Sequence, residues 1–103
     1  MTVTLGLQPF DLTVTLPSDG DFVCTLIAEN GWPVDTRIEL RFLAAGADPI
    51  VWPATIDGTD ARWSVRSTVV KAAIAAKPTA ARLHYIDSAG EDLLWGRGRV
   101  LIA

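Results

Sequence analysis

The sequence predicts an all-β protein, an antiparallel β-sandwich of about seven strands with one short helical crossover. Three observations lead to this fold class. Short stretches in which apolar and polar residues alternate recur along the chain, and a period of two is typical of strands that bury one face. Combinations of Gly, Pro, Asn and Asp, which favour turns, separate these stretches. Only one short segment has the composition of a helix.

The size and charge of the chain limit what it can be. It has 103 residues, half of them hydrophobic and a fifth charged. This is enough for one domain with one core, so we assign residues 1–103 to a single domain. The formal net charge is -3, and the basic residues are scattered along the chain. Because phosphate contacts dominate affinity for nucleic acids, we do not expect a nucleic-acid partner.

The sequence also carries expectations about the cellular compartment. Cys24 is the single cysteine, so no intramolecular disulfide can form, which suits a reducing compartment. The first residues lack the basic segment and the apolar segment of a signal peptide, so we expect none. No apolar run approaches the length of about 18 residues that a membrane span requires, and no membrane partner is expected.

The strongest strand signal lies in residues 50–65. Two apolar runs flank Asp57 and Gly58 there. An Asp-Gly pair between alternating strands favours a hairpin, because Gly adopts positive φ without steric cost. Trp52 lies in the first run and Trp63 in the second, each in phase with smaller apolar residues. We therefore expect a hairpin whose aromatic side chains close the core.

Three further strands are predicted before this hairpin. Residues 10–16 alternate strictly, and a Pro-Ser-Asp-Gly turn follows them. Residues 22–28 are apolar on both faces, which favours a position inside a sheet or against a neighbour. Residues 36–42 place apolar side chains on one face and Arg37, Glu39 and Arg41 on the other. This charged face is expected to lie in solvent or against a partner.

A short helix and two strands are predicted after the hairpin. Residues 67–77 are rich in alanine, with Ser67 as the expected N-cap and a proline as the stop signal at the other end. An irregular crossover is the alternative for this segment. Alternation then predicts strands at 81–86 and 93–102. Gly96 and Gly98 within the last strand indicate a bulge or a close backbone approach. The complete pattern is that of an immunoglobulin-like sandwich.

Few residues could carry chemistry. A nucleophilic cysteine needs a base, and Cys24 and His84 are the only residues of their kinds. Cys24 lies on an apolar face, which predicts a structural thiol, and His84 is expected at the surface. A zinc site needs about four Cys or His ligands, so zinc is excluded. The acidic turn at residues 87–92 lacks the ligand spacing of an EF-hand and is interpreted as a solvated turn.

Four tryptophans are many for a chain of this length. Their phase with other apolar residues favours core packing for Trp52, Trp63 and Trp95 over an aromatic platform for sugar stacking. Trp32 differs, because it lies in a loop beside Gly31 and Pro33. Two interpretations stay open for its ring: it plugs one end of the sandwich, or it anchors a partner.

The order of several motifs along the chain is familiar. They include Leu-Gly-Leu-x-Pro near the start, Asn-Gly-Trp-Pro, Trp-Pro-Ala-Thr-Ile-Asp-Gly, Ala-x-Trp-x-Val and the closing Leu-Leu-Trp-x-x-Gly-x-Val. Together they resemble the LtfC-like β-sandwich domain family of small proteins encoded by phages of actinobacteria. The resemblance covers nearly the whole chain. The matching residues are 21–23, Trp32, Pro33, 52–58, Trp63, 81–83, Tyr85 and Trp95.

The resemblance implies a structural protein of the virion. Its most direct implication is a component of the tail, tail fibre or baseplate, assembled in the host cytoplasm and multimeric in the particle. The expected partners are other phage virion proteins. The family implies no catalytic residues and no cofactor, so we expect neither an enzyme nor a metal site. Two alternatives stay open: a capsid decoration or head-completion protein, and a carbohydrate-binding module for host-surface glycans.

The expected interface consists of two pairs of residues. Trp32 and Pro33 lie in the loop after the second strand. Arg37 and Arg41 lie on the charged face of the third strand. Edge strands and the loops at the ends of a sandwich are natural docking surfaces in a multimeric particle, and a charged face lies in solvent or against a partner.

Overall fold

The computed structural model describes residues 8–103. The absence of a signal peptide and the Leu-Gly-Leu motif concern residues 1–7, which lie outside the described part. Eight strands and one helix follow one another along the chain. They are β1 (Phe10–Leu16), β2 (Phe22–Ile27), β3 (Arg37–Leu43), β4 (Ile50–Pro53), β5 (Thr55–Asp57), β6 (Asp60–Val65), α1 (Ser67–Ala75), β7 (Ala80–Ile86) and β8 (Asp92–Ile102).

The strands form two sheets that enclose one core. One sheet has five strands in the order β1-β8-β7-β3-β4, and the other has three in the order β2-β6-β5. This division of strands is that of an immunoglobulin-like sandwich, so the predicted fold class is confirmed. One pairing departs from the antiparallel prediction. β1 runs parallel to β8, with Phe10 opposite Gly96 and Leu16 opposite Ile102.

The predicted hairpin is confirmed at its turn, but its first arm is divided. Asp57 pairs with Asp60 across a turn in which Gly58 has φ of 59°. Trp52 belongs instead to β4 in the larger sheet, and the chain crosses between sheets at Pro53 and Ala54. Proline lacks the N–H that a strand would need to continue its ladder. This division explains why eight strands are found where about seven were expected.

The core lies where the two tryptophans meet. The Nε1–H of Trp63 donates a hydrogen bond of 2.8 Å to the backbone carbonyl of Trp52 in the opposite sheet. The Trp52 ring contacts Phe42 edge to face, with a centroid distance of 4.7 Å. Trp63 is only 2 % exposed. As predicted, both indoles serve packing, and their hydrogen bond joins the two sheets.

The prediction for β2 was wrong in one respect. This strand lies at the edge of the three-stranded sheet, with β6 as its one partner among residues 8–103. Val23 and Ile27 therefore remain exposed on its outer face. Apolar residues on both faces favoured an interior position, but pairing depends on the rest of the chain and not on local composition.

The predicted helix is confirmed as α1, with a different cap. Arg66 occupies the N-cap position and makes no side-chain cap hydrogen bond. The backbone N–H of Ser67 instead donates a hydrogen bond of 2.8 Å to Oδ1 of Asp21, in the turn before β2. Lys77 lies beyond the helix with φ of 55°. Among residues 8–103, no helix has the length and apolar character that a membrane crossing requires.

We expect Asp21→Ala to destabilise the protein by about 1 kcal/mol, the usual cost of losing a helix cap. The carboxylate satisfies a backbone N–H that the helix itself cannot. Urea unfolding followed by tryptophan fluorescence measures the change. Asp19→Ala in the same turn is the matched control. The Asp19 side chain is 97 % exposed, and its ion pair with Lys71 is long, at 4.0 Å. Equal losses in the two variants would contradict the capping role.

Candidate functional site

An aromatic cluster, defined as Trp32, Tyr85 and Trp95, lies at one end of the sandwich. The Tyr85 and Trp95 rings stack, with centroids 4.4 Å apart and planes 5° from parallel. The Trp32 ring lies 6.0 Å from Trp95 and 6.4 Å from Tyr85. All three are partly buried and pack against the core. The stacking leaves little free ring surface for a ligand.

A β-bulge places Trp95 in this cluster. Leu83 pairs with Gly96, but His84 pairs with Leu94, so β8 carries one residue more than β7 between these pairs. The additional residue is Trp95. A bulge redirects side chains beyond it, and here the indole lies on the same side of the sheet as Tyr85. Trp95 thus contributes to packing, as predicted.

The loop end, defined as the β2–β3 loop, the β5–β6 turn and the β7–β8 turn, surrounds the aromatic cluster. Two backbone hydrogen bonds join the first two: Trp32 N to Gly58 O at 3.0 Å, and Ala28 N to Thr59 O at 2.9 Å. The Nε1–H of Trp32 is buried without an acceptor among residues 8–103. Packing therefore holds this indole in place, which favours the plug over the anchor.

A charge network, defined as Glu39, Arg41, His84 and Asp92, lies on the outer face of the five-stranded sheet. Nη2 of Arg41 contacts Oε1 of Glu39 and Oδ2 of Asp92, each at 2.9 Å. Oδ1 of Asp92 lies 2.6 Å from Nδ1 of His84. The hydrogen bond to Glu39 is the largest cause that raises the pKa of the Arg41 guanidinium, and burial opposes it. Arg41 is thus committed to intramolecular contacts.

The network also perturbs the pKa of the Asp92 carboxyl. Burial raises this pKa, but the hydrogen bonds from His84 and Arg41, with their charges, outweigh burial and hold it below the ordinary value of 3.8. A pKa that is lower in the folded than in the unfolded state stabilises the protein above the unfolded value. That stabilisation is lost as the pH falls through the folded value.

We expect Asp92→Asn to lower the free energy of unfolding at pH 7 by less than about 1 kcal/mol, since an exposed ion pair is screened by solvent. The Asp92 side chain is 41 % exposed. The difference from the wild type should shrink as the pH falls below 3.8. Urea unfolding at a series of pH values measures it. Glu91→Gln, a neighbour without an ion pair in residues 8–103, is the control. A gap that widened in acid would contradict this account.

His84 lies on the outer face of the sheet, as expected, but it is less exposed than a surface position implies. Its side chain is only 13 % exposed, and Ile86 on the same strand is buried. Cys24 lies on β2, in the other sheet, so the structure does not bring the thiol and the imidazole together. Burial raises the pKa of the Cys24 thiol, which disfavours the nucleophilic thiolate.

The arginine face, defined as Arg82, Arg97 and Arg99, is the most unusual part of the outer sheet surface. Arg82 is the direct cross-strand partner of both Arg41 and Arg97. All three residues of the face are exposed, and no carboxylate among residues 8–103 lies within ion-pair distance of them. Asp11 is the β1 partner of Arg97, yet it too makes no ion pair. Like charges directly opposite one another destabilise a sheet.

The arginine face borders two shallow depressions. One, of about 300 Å³, is lined by Arg82, Arg97 and Asp11 over a floor of small residues. The other, of about 400 Å³, extends along Arg99 and β1. Both are open to solvent, so a macromolecule that covers the sheet face could contact them.

Comparison with known proteins agrees with this architecture. The family model described as LtfC-like, beta-sandwich domain matches residues 8–103. The chain belongs to this family. The resemblance to the LtfC-like family is therefore confirmed, and so is the sandwich that it implied. No curated protein matches the chain.

An apolar groove in this LtfC-like domain lies between the free edges of β1 and β2. It measures about 320 Å³, and its walls include Leu12, Phe22 and Cys24. Each of these strands has one partner in the described part of the chain. Strand edges with free backbone groups can pair with another chain, but nothing in the structure shows what covers this groove.

The four residues predicted as the interface lie in different settings. Trp32 is partly buried in the aromatic cluster, while Pro33 is exposed beside it. Arg37 is exposed at the start of β3, and Arg41 is held by two carboxylates. Their role in an interface stays a prediction. Sequence reasoning missed the arginine face, because cross-strand neighbours become visible only once the register is known.

Proposed function

We propose that this LtfC-like domain is a small structural component of a bacteriophage particle, in the tail, tail fibre or baseplate. It acts by repeated contact with other virion proteins and not by catalysis. It assembles in the host cytoplasm and is multimeric in the particle. Membership of the family supports the sandwich fold. The sequence resemblance to proteins of actinobacterial phages supports the role in a phage particle.

The arginine face is the observation that carries this proposal. Exposed guanidinium groups aligned across two strands, without carboxylates of their own chain within ion-pair distance in residues 8–103, suit a protein partner that supplies the carboxylates. Arginine is enriched at protein interfaces, and its planar fork binds carboxylates in a bidentate manner. A flat sheet face also provides the broad contact area that a structural assembly needs.

A non-catalytic role is consistent with the geometry around the reactive residues. Cys24 and His84 lie in different sheets, and the imidazole is engaged by Asp92. Within residues 8–103, no group of three or more His, Cys, Asp or Glu side chains could hold a metal ion. The proposed role is therefore contact with other proteins.

Binding to host glycans has less support than protein contact. A sugar platform needs an exposed aromatic face. Trp52 and Trp63 are buried, and Trp32 and Trp95 pack against each other within the aromatic cluster. Capsid decoration uses the same kind of contact as a tail component, so the location in the particle separates these two possibilities.

Immunogold electron microscopy of purified particles of the encoding phage, with an antibody to this protein, tests the proposal. We expect gold at the tail or its tip and none on particles when the antibody is first saturated with purified protein. Quantitative mass spectrometry of the same particles gives the copy number. Gold on the head, with copies in proportion to the major capsid protein, would replace the tail assignment by decoration. A lack of both gold and peptides would overturn the virion role.

A further inference from the structure

We propose that the partner of the arginine face is a second copy of this chain, which docks its acidic loop end there. The contact is heterologous, since one surface of each copy meets a different surface of the next. Such contacts form closed rings or open filaments. This inference deepens the proposed function and rests on it, since it names the partner of the same face.

The arginine face carries uncompensated charge. In one row across the sheet, Arg41, Arg82 and Arg97 are successive cross-strand partners. Arg41 is neutralised by Glu39 and Asp92. Arg82 and Arg97 have no ion pair among residues 8–103, although Asp11 lies opposite Arg97 on β1. Arg99 follows Arg97 on the same side of β8, about 7 Å further along the strand. The free protein thus retains a repulsion between Arg82 and Arg97 that a pair of carboxylates would relieve.

The loop end carries the opposite charge. It presents five exposed carboxylates without an ion pair in the part of the chain described, namely Glu29, Asp35, Asp57, Asp60 and Glu91. Asp57 and Asp60 are themselves direct cross-strand partners at the hairpin turn. Thr59 donates a hydrogen bond of 3.1 Å to Oδ1 of Asp60, which leaves its other oxygen available. This end therefore has a like-charge repulsion of its own.

The two pairs of like charges occupy equivalent positions in their strands. Arg82 and Arg97 are direct antiparallel partners, and so are Asp57 and Asp60. Directly opposed residues of antiparallel strands have Cα atoms about 4.5–5.5 Å apart. The Cα atoms of the two aspartates are thus about as far apart as those of the two arginines. A hairpin tip is narrow enough to approach an open sheet face. One contact between copies relieves both repulsions at once.

The charge of the whole chain favours this occupant over a long polyanion. The net charge is -3, so a nucleic acid or an anionic membrane meets an overall repulsion beyond the arginine face. A second copy has the same net charge, but it can present the five carboxylates of its loop end while its other exposed carboxylates, such as Asp11 and Asp48, lie away from the contact. Because the groups on both sides are exposed, the contact should weaken steeply with salt.

Sedimentation velocity of the purified wild-type protein over a range of concentrations, at low and high salt, tests the contact. We expect self-association at low salt, with a Kd below about 1 mM, that weakens at least tenfold in high salt. The variant Arg82→Glu with Arg97→Glu should stay monomeric. Arg62→Glu with Lys71→Glu is the matched control, since it changes the net charge equally at exposed sites outside the face and should still associate.

A charge exchange makes the test specific. The variant Asp57→Lys with Asp60→Lys should also be monomeric alone. When mixed with Arg82→Glu, Arg97→Glu protein, it should form a complex, because each variant then offers the surface that the other lost. Circular dichroism of each variant checks its fold, and single-charge versions replace any double variant that does not fold.

Several outcomes would overturn the contact between copies. One is a wild-type protein that stays monomeric at low salt up to about 1 mM. Another is self-association that the arginine variant leaves unchanged, or a mixture that does not form a complex. Binding of a polyglutamate peptide to a monomeric wild type would assign the face to an acidic segment of another protein. Virion labelling is independent of all these results, so failure here and failure of the proposed function are distinguishable.

Discussion

Replacement of Gly98 by Ala is expected to separate β1 from β8 and to destabilise the protein by at least about 3 kcal/mol, the upper part of the range for overpacking. A Cβ at this position would lie 1.6 Å from the carbonyl oxygen of Leu12 and 2.6 Å from its carbonyl carbon. Both atoms belong to the backbone of β1, so no side-chain rotation relieves the overlap. Leu12 is also the direct partner of Gly98 in the parallel pairing.

Urea unfolding, monitored by tryptophan fluorescence, measures this loss, and circular dichroism shows whether the remaining sheet survives. Gly20→Ala is the matched control, because its Cβ would meet only Pro17, at an ordinary contact distance of 3.8 Å. It should change the free energy of unfolding by less than about 0.5 kcal/mol, as for most surface substitutions. A Gly98→Ala variant as stable as the Gly20→Ala variant would contradict the close approach of β1 to β8.

Truncation of Trp63 to alanine is expected to cost about 3–5 kcal/mol, the range for removing a large buried aromatic side chain. The indole is 2 % exposed and lies between the two sheets. Its loss leaves a cavity and also removes the donor to the carbonyl of Trp52. A buried acceptor without its donor adds to the cost of the cavity. The midpoint of chemical unfolding should fall accordingly.

Trp63→Phe separates the two contributions. Phenylalanine fills most of the space but cannot donate the hydrogen bond of 2.8 Å to Trp52. We expect a loss of about 1–3 kcal/mol, the penalty for an unsatisfied buried group. If the phenylalanine variant lost as much stability as the alanine variant, the hydrogen bond rather than the packed volume would dominate. An alanine variant that lost less than about 1 kcal/mol would refute the central packing role.

Residue patterns predict part of the candidate site but not the contacts between its strands. The charged outer face of β3 could be predicted, because Arg37, Glu39 and Arg41 alternate with apolar residues. That Arg41 is neutralised could not, since its partner Asp92 is 51 residues away in the chain. The alignment of Arg82 with Arg97 depends on the register of two strands, which the bulge in β8 shifts.

Residue patterns alone predict the fold class, the helix and most strand bounds. Alternation, turn residues and a Pro stop act over a few residues, so they are visible in the sequence without knowledge of the fold. Gly98 within the last strand also indicated a close backbone approach, but the sequence did not show which strand would approach it.

Two features follow from the folded chain alone: which strands lie at the sheet edges and which charges are neighbours. β2 has the composition of an inner strand but lies at an edge, and residues 50–57 divide between two sheets. The helix cap likewise comes from Asp21 in a distant turn, not from Ser67. These features depend on contacts between residues far apart in the chain, which form as the whole core closes. Local preference contributes little to that choice, because burial and pairing across the molecule outweigh it.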